Sequence, residues 1–490
     1  MEKNWRIKRI FLSICLVTAI IALTGCNTKQ NGLETESPKQ SEKKKTSAEN
    51  KENQNTRESF QNKLEKQELE FKENPNNKSN NLKYARTQFS LGNFNEAKKI
   101  IQPYIQSKDA EALLLAAEIS YLNGRYSEAE DYYNTLLKEH KEAYGIQAET
   151  GLQMVYYQTK QFNKASELFT DQKDLENPML DMMKDFGDIK PYEIDWHGRT
   201  STTIPFIKTS IGVYVPIEVN GVKMNAFVDT GADGLTIDKE KAGELGIDSV
   251  SDTEGQFAGG QTNEIGFGRT DKLSIGGVDI ENVPTMLGSF EAWENAAGFK
   301  EAGNVHAVIG TNILKQFIPT INFLGKELTL DQRSETGRAK LEERQKEEKL
   351  EATVPFTLSG THYIHGKGSI NGVRSLNMFV DSGFISESDQ GINLPKETMD
   401  LANISMPKLE KPDVAGMGGS DFKTGSFDVD SYGLEDLKMS KASGLYETGN
   451  TLSNMYDATG FVTDAMIGEN YLNHYKWTLD FEEMTMNFRK

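Results

Sequence analysis

Two short segments of this chain carry a carboxylate in the same setting, Phe227-Val228-Asp229-Thr230-Gly231 and Phe379-Val380-Asp381-Ser382-Gly383. Each is an apolar run that delivers an aspartate into a hydroxyl residue and a glycine. A single Asp-Thr-Gly would be an ordinary turn. These two recur in matching surroundings. Asn220-Gly221-Val222 precedes the first and Asn371-Gly372-Val373 the second. Ala258-Gly259-Gly260 and Met417-Gly418-Gly419 follow them. Val308-Ile309-Gly310-Thr311-Asn312-Ile313-Leu314 and Met466-Ile467-Gly468-Glu469-Asn470-Tyr471-Leu472 close each set, with Gly310 and Gly468 lying 81 and 87 residues past the aspartates. Four elements in the same order indicate a duplicated unit. Two carboxylates held close cannot both ionise cheaply, so one keeps a proton. Such a pair offers a base and an acid in one place.

Little else in the chain has the spacing of a reactive site. The six histidines are scattered. His362 and His365 stand three apart in an apparent strand, where they would face opposite sides, and read as surface or packing residues. No His, Cys and Asp cluster has metal-ligand spacing, so neither a metal nor a cofactor is expected. Gly366-Lys367-Gly368 lacks the strand–turn–helix context of a phosphate loop, and no Gly-x-Ser-x-Gly elbow is present. The balance of 55 Lys+Arg against 73 Asp+Glu argues against general nucleic-acid binding, which needs a basic face.

The elements that must position the aspartates are strands. After about residue 185 the pattern becomes short alternating runs with Gly-rich turns. Ile211 to Val219 reads as a strand and Asn220-Gly221 as its hairpin turn. Residues 333–350 are dense in charge and read as a solvated connector with helical character. Strands resume near Val354. On these motifs, residues 200–332 and 351–490 each resemble a retropepsin-type lobe of the aspartic proteases. The resemblance covers more than half of the chain. A single lobe supplies one aspartate, so two lobes in one chain are similar to the pepsin-like arrangement.

The resemblance implies an all-β bilobal aspartic-protease fold, with Asp229 and Asp381 catalytic. It also implies that Thr230 and Ser382 hydrogen-bond across to the opposite loop, while Gly231 and Gly383 turn tightly and bring backbone N–H groups to the carboxylates. Gly259, Gly260, Gly418 and Gly419 are the flap candidates. The shared proton of such a dyad is a known property of that family. Two departures stand out. Phe384 follows the second motif where a small residue is usual, and a bulky ring there would crowd the loop. No flap tyrosine is identifiable in either lobe.

Upstream, residues 66–185 have a helical pattern that repeats. Phe94, Tyr126 and Phe162 lie 32 and 36 residues apart, each followed three residues later by Ala97, Ala129 or Ala165. The mean spacing is the tetratricopeptide period. The aromatic would seat one helix on the next, the alanine would permit close approach, and Pro103 is placed to end the first unit. This segment resembles about three tetratricopeptide repeats, an α-helical solenoid with a concave surface for a peptide or partner protein. A purely architectural spacer is the competing expectation.

Residues 1–25 read as a targeting segment. Lys3, Arg6, Lys8 and Arg9 precede an apolar run from Ile10 to Leu23 that is short for a membrane span. Leu23-Thr24-Gly25-Cys26 resembles the bacterial lipoprotein lipobox, which implies lipidation at Cys26 and a cell-membrane location on the extracytoplasmic face. Of the two cysteines, Cys15 lies in the part that would be removed. Residues 26–65 are polar and are expected to be a disordered tether, with a random-coil reach of roughly 30 Å. The combined expectation is a membrane-anchored aspartic endopeptidase acting on a protein or peptide. The rival expectation is a non-catalytic envelope lipoprotein that binds partners through the repeats and a protease-like fold.

Overall fold

The computed structural model describes residues 55–490 apart from 173–174, 258–261, 295, 387–388 and 412–421. The targeting segment, Cys26 and the four flap-candidate glycines lie outside the described residues. Among the described residues no helix is long and apolar enough to cross a membrane.

Helices fill the N-terminal part, over Arg57–Glu73, Lys78–Ser90, Phe94–Gln106, Ala110–Leu122, Tyr126–Gln158 and Pro178–Phe186, with a 3-10 turn at Phe162–Glu167. The first begins at Arg57, where Thr56 Oγ1 accepts from the Ser59 N–H, so residues 57–65 are helical and not tether. Phe60 is buried there. Phe94, Tyr126 and Phe162 each open an element. Gly92, Gly124 and Lys160, two residues earlier, have positive φ, the left-handed conformation that ends the preceding helix. Ala97, Ala129 and Ala165 are fully buried. Pro103 lies inside Phe94–Gln106 and does not end it. The long element Tyr126–Gln158 is two helices meeting at His140, whose φ is −138°.

The first lobe is an eight-stranded sheet that closes through Thr262–Ile275 pairing with Val278–Gly288. Strand Val222–Val228, which leads into Asp229, lies between Tyr214–Val219 and the parallel strand Val305–Ile309. The hairpin turn puts Asn220 at φ 48° and Gly221 at φ 85°, as a two-residue turn of this hand requires. The second lobe repeats this: Asn371 and Gly372 have φ 46° and 86°. There Val373–Val380 lies between Tyr363–Ile370 and the parallel strand Ala465–Ile467.

Beneath both lobes runs a shared sheet in the order Leu350–Ser359, Thr485–Arg489, Lys476–Asp480, Ile318–Asn322, Glu327–Asp331, Ser201–Pro205. At its middle Thr320 pairs with Thr478, and their hydroxyls are 2.8 Å apart. The connector is a docked helix, Glu335–Gln345. Arg338 bonds Asp480 at 2.5 Å, and Arg344 bonds Asp331. It therefore ties the two lobes instead of standing free in solvent.

The helical part touches both lobes. Its later helices share a core with Ile265 and Phe267 of lobe 1. Its earlier helices enclose Phe461 and Val462 of lobe 2. Arg57 and Asp464 form a buried ion pair at 2.6 Å, and Phe60 stacks on Tyr456.

Candidate active site

The two motif strands end at the contact between the lobes. The Asp229 N–H donates to the Ile309 carbonyl at 3.0 Å, and the Asp381 N–H to the Ile467 carbonyl at 2.9 Å. Each motif is thus fixed by the apolar-apolar-glycine segment of its own lobe. Thr230 and Ser382 then cross over. The Thr230 N–H donates to Ser382 Oγ at 3.0 Å and the Ser382 N–H to Thr230 Oγ1 at 2.9 Å. Thr230 Oγ1 donates onward to the Val380 carbonyl at 3.1 Å. Both side chains are fully buried. This reciprocal set leaves neither hydroxyl unsatisfied and sets the lobe-to-lobe spacing at the aspartates.

The structure brings Asp229 and Asp381 together, and their carboxyl groups share a hydrogen bond. A Cβ on Gly231 would collide with the Asp381 carboxylate, and one on Gly383 with that of Asp229. Glycine at both places is therefore required by the approach of the opposite aspartate. Gly231 N–H donates to Asp229 Oδ1 at 2.7 Å. Gly383 and Phe384 N–H groups donate to Asp381 Oδ1 at 2.8 and 3.1 Å.

Both aspartates keep partial exposure as residues, while their carboxyls are desolvated. Burial raises both carboxyls from their ordinary value. Asp381 is raised well above it, with the Asp229 charge adding to burial. Donation from Asp381 and from backbone N–H groups of Gly231, Gly383 and Ala232 holds Asp229 back. The anion is thus favoured on Asp229 and the proton on Asp381, and the pair titrates as a unit.

Phe384 does not crowd the loop. Its ring is buried in a cluster with Tyr363, Phe379, Leu452, Met455 and Met466. The room comes from Gly468, where any Cβ would collide with the Phe384 ring and carbonyl.

Several residues given no role in the motif reasoning surround this centre. Asp233 accepts from Asn312 Nδ2 and, at 3.4 Å, from Tyr157 Oη of the helical part. Burial lifts Asp233 to about 6, against hydrogen bonds from Asn312, Thr361 and Tyr157. Glu469 crosses from lobe 2 to take the Gly212 N–H of lobe 1 at 2.8 Å, and burial lifts it to about 7. His362 is buried at the tip of the hairpin before Tyr363–Ile370. Its Nδ1 lies 2.8 Å from Thr361 Oγ1, and burial lowers it to about 3. His365 is buried too and bonds Thr463 Oγ1 at 3.0 Å, so both histidines are interior. Asn312 and Asn470 hold matching places in the repeated closing segments, a signal that could have flagged Asn312. Nothing local marks His362.

No curated protein matches the chain. A solved structure that aligns with it is a retropepsin-like aspartic protease from Rickettsia conorii, at 19% identity, covering 29% of this chain and 91% of that one with a TM-score of 0.20. Residues 215–313, which hold Asp229, Asp233 and Asn312, match the family model described as aspartyl protease.

Proposed function

We propose that this chain is an aspartic endopeptidase with an internal dyad, hydrolysing peptide bonds of a protein or peptide by water activated between Asp229 and Asp381. The observation that carries this reading is the hydrogen bond between the two carboxyls, set between two lobes that supply one aspartate each. The Asp229 anion takes a proton from the water, and Asp381 donates its proton to the scissile carbonyl. Water attacks directly, so no acyl-enzyme forms. Thr230, Ser382, Gly231 and Gly383 hold the pair in register.

The pH dependence follows from the shared proton. Cleavage needs one proton on the pair. It falls at low pH as Asp229 takes a second proton, and at high pH as the Asp381 proton leaves. The upward shift of Asp381 places the upper limb above the ordinary carboxylate range. The chain is read as held at the outer face of a membrane by lipid on Cys26, with the helical part a tetratricopeptide-type array.

The test is cleavage of unfolded casein by the purified full chain and by Asp229→Asn. The expected result is a bell-shaped profile for the native chain and loss of at least about 10³-fold in the variant, in line with removal of a general base plus loss of the shared charge. Cleavage that survives Asp229→Asn would remove the dyad assignment.

A further inference from the structure

The two lobes carry equivalent apolar clusters beside their catalytic loops, and only one of them is closed. Ala232 and Phe384 hold matching places, each next after the glycine of its motif. Each carbonyl accepts from the closing segment of its own lobe, Ala232 from the Thr311 N–H at 3.0 Å and Phe384 from the Glu469 N–H at 2.9 Å. Behind them the Phe227 ring tilts 32° to Tyr214, and the Phe379 ring tilts 32° to His365. In lobe 2 the Phe384 ring completes the cluster, and Phe379, Leu452, Met455 and Met466 are buried with it. In lobe 1 Ala232 offers only a methyl group. There Tyr214, Phe227 and Phe290 are buried, while Ile207, Phe257, Trp293 and Phe299 pack on them and stay partly exposed. Trp293 lies 5.4 Å from Phe299 between ring centroids, and Phe299 lies 6.0 Å from Phe227, two residues before Asp229. Ile385, which follows Phe384 in lobe 2, is partly exposed and joins this lobe 1 cluster.

Large apolar side chains that gather at one place and keep contact with water mark a binding surface, unlike single ones scattered over a protein. Position fixes what covers this one. The cluster takes in Ala232 of the Asp229 loop and Ile385 of the Asp381 loop, so a peptide lying across the dyad passes over it. An aromatic or branched apolar side chain leaving water for that wall gains free energy in proportion to its area. Resting on the dyad reading above, we propose that the chain selects substrates with one large apolar side chain, bound on lobe 1 against Phe257, Trp293, Phe299 and Ile385. Phe384 fills the corresponding place on lobe 2, so the other flank of the scissile bond carries a small residue. The preference then comes from one difference between duplicated loops, alanine in the first and phenylalanine in the second.

The experiment measures binding and cleavage separately. Binding is followed by tryptophan fluorescence in full-length Asp229→Asn, with octapeptides of alanine and serine that carry no, one or two phenylalanines. Of the four tryptophans, Trp196 and Trp477 are buried and Trp5 lies in the targeting segment. Trp293 should therefore give the response, and Trp293→Phe should remove it. One phenylalanine should tighten binding about 10- to 100-fold, the size of burying one aromatic side chain. A second should add no more than about twofold, whereas with Phe384→Ala it should add about tenfold. Thermal melting identifies a variant that fails to fold, and Phe384→Leu then serves in place of Phe384→Ala. For cleavage, the native chain digests unfolded casein and the products are sequenced by mass spectrometry. Large apolar residues should stand on one flank of the cuts and Gly, Ala and Ser on the other, and Phe384→Ala should admit large residues on both. Selective binding without any cleavage would remove the dyad reading and leave the lobe 1 subsite standing. Cleavage with the same preference on both flanks overturns the proposal, and so does a one-phenylalanine peptide that binds no more tightly than the peptide with none.

Discussion

At the scale of residues, the environment of each carboxyl decides what it can do. Burial raises both Asp229 and Asp381, but the Asp229 charge raises Asp381 further while donation from Asp381 and from backbone N–H groups holds Asp229 down, and that difference orders their proton. Glu469 shows the same physics with a stability consequence. Its ordinary value is 4.5 and burial raises it to about 7. Between those values the folded chain binds a proton there and the unfolded chain does not, so stability falls as pH rises through that window. We expect Glu469→Gln to flatten this fall, worth about 3 kcal/mol at neutral pH by linkage. Denaturant titrations of both chains at pH 4.5 and 7.5 check it: equal losses in the two would rule Glu469 out as the cause. The motif aspartates could be read from sequence because short segments with fixed neighbours carry them twice. The interior place of His362 could not, since the hairpin tip that carries it is enclosed only after the helices have docked on it. The accommodation of Phe384 was equally hidden, because it depends on what Gly468 lacks.

At the scale of elements, local rules worked where local forces decide. The Asn-Gly hairpins, the repeated apolar-apolar-glycine segments and the aromatic–alanine helix starts were all legible as patterns. Boundaries set by tertiary contact were not. Residues 57–65 have tether-like composition, but they form a helix because Phe60 and Arg57 are buried against lobe 2. Pro103 sits in the last turn of its helix, which runs on to Gln106 past the stop the proline was expected to set. The connector has the charge of a solvated segment, yet those charges pair with Asp480 and Asp331 across two lobes. The first helix is the element most dependent on one interaction. Arg57→Ala leaves Asp464 buried and unpaired, and Asp464 also takes the Asn377 N–H at 2.7 Å. The expected cost is about 3–5 kcal/mol, typical of breaking a buried pair on one side. Urea unfolding monitored at Tyr456, which stacks on Phe60, measures it, and a change below about 1 kcal/mol would mean the pair is solvated in practice.

At the scale of the whole molecule, the two lobes are related by an approximate two-fold through the Thr320–Thr478 contact, and the helical part breaks that symmetry by touching each lobe differently. Lobe 1 receives Tyr157 behind its catalytic loop, at Asp233. Lobe 2 receives Arg57 and Phe60 on its outer flank. This asymmetry was not legible in the duplicated motifs, since the repeats in sequence say nothing about which faces meet. The middle of the shared sheet has one further consequence. Ile318–Asn322 and Lys476–Asp480 come from opposite sides of the connector, so the seam between the halves is itself a pair of hydrogen-bonded strands. A protease nick in the exposed turn at residues 346–349 should therefore leave two fragments that co-elute as one particle and separate only in denaturant. Two halves expressed as independent polypeptides should likewise find each other and complement, as parts of a lock whose key is the missing edge of a sheet.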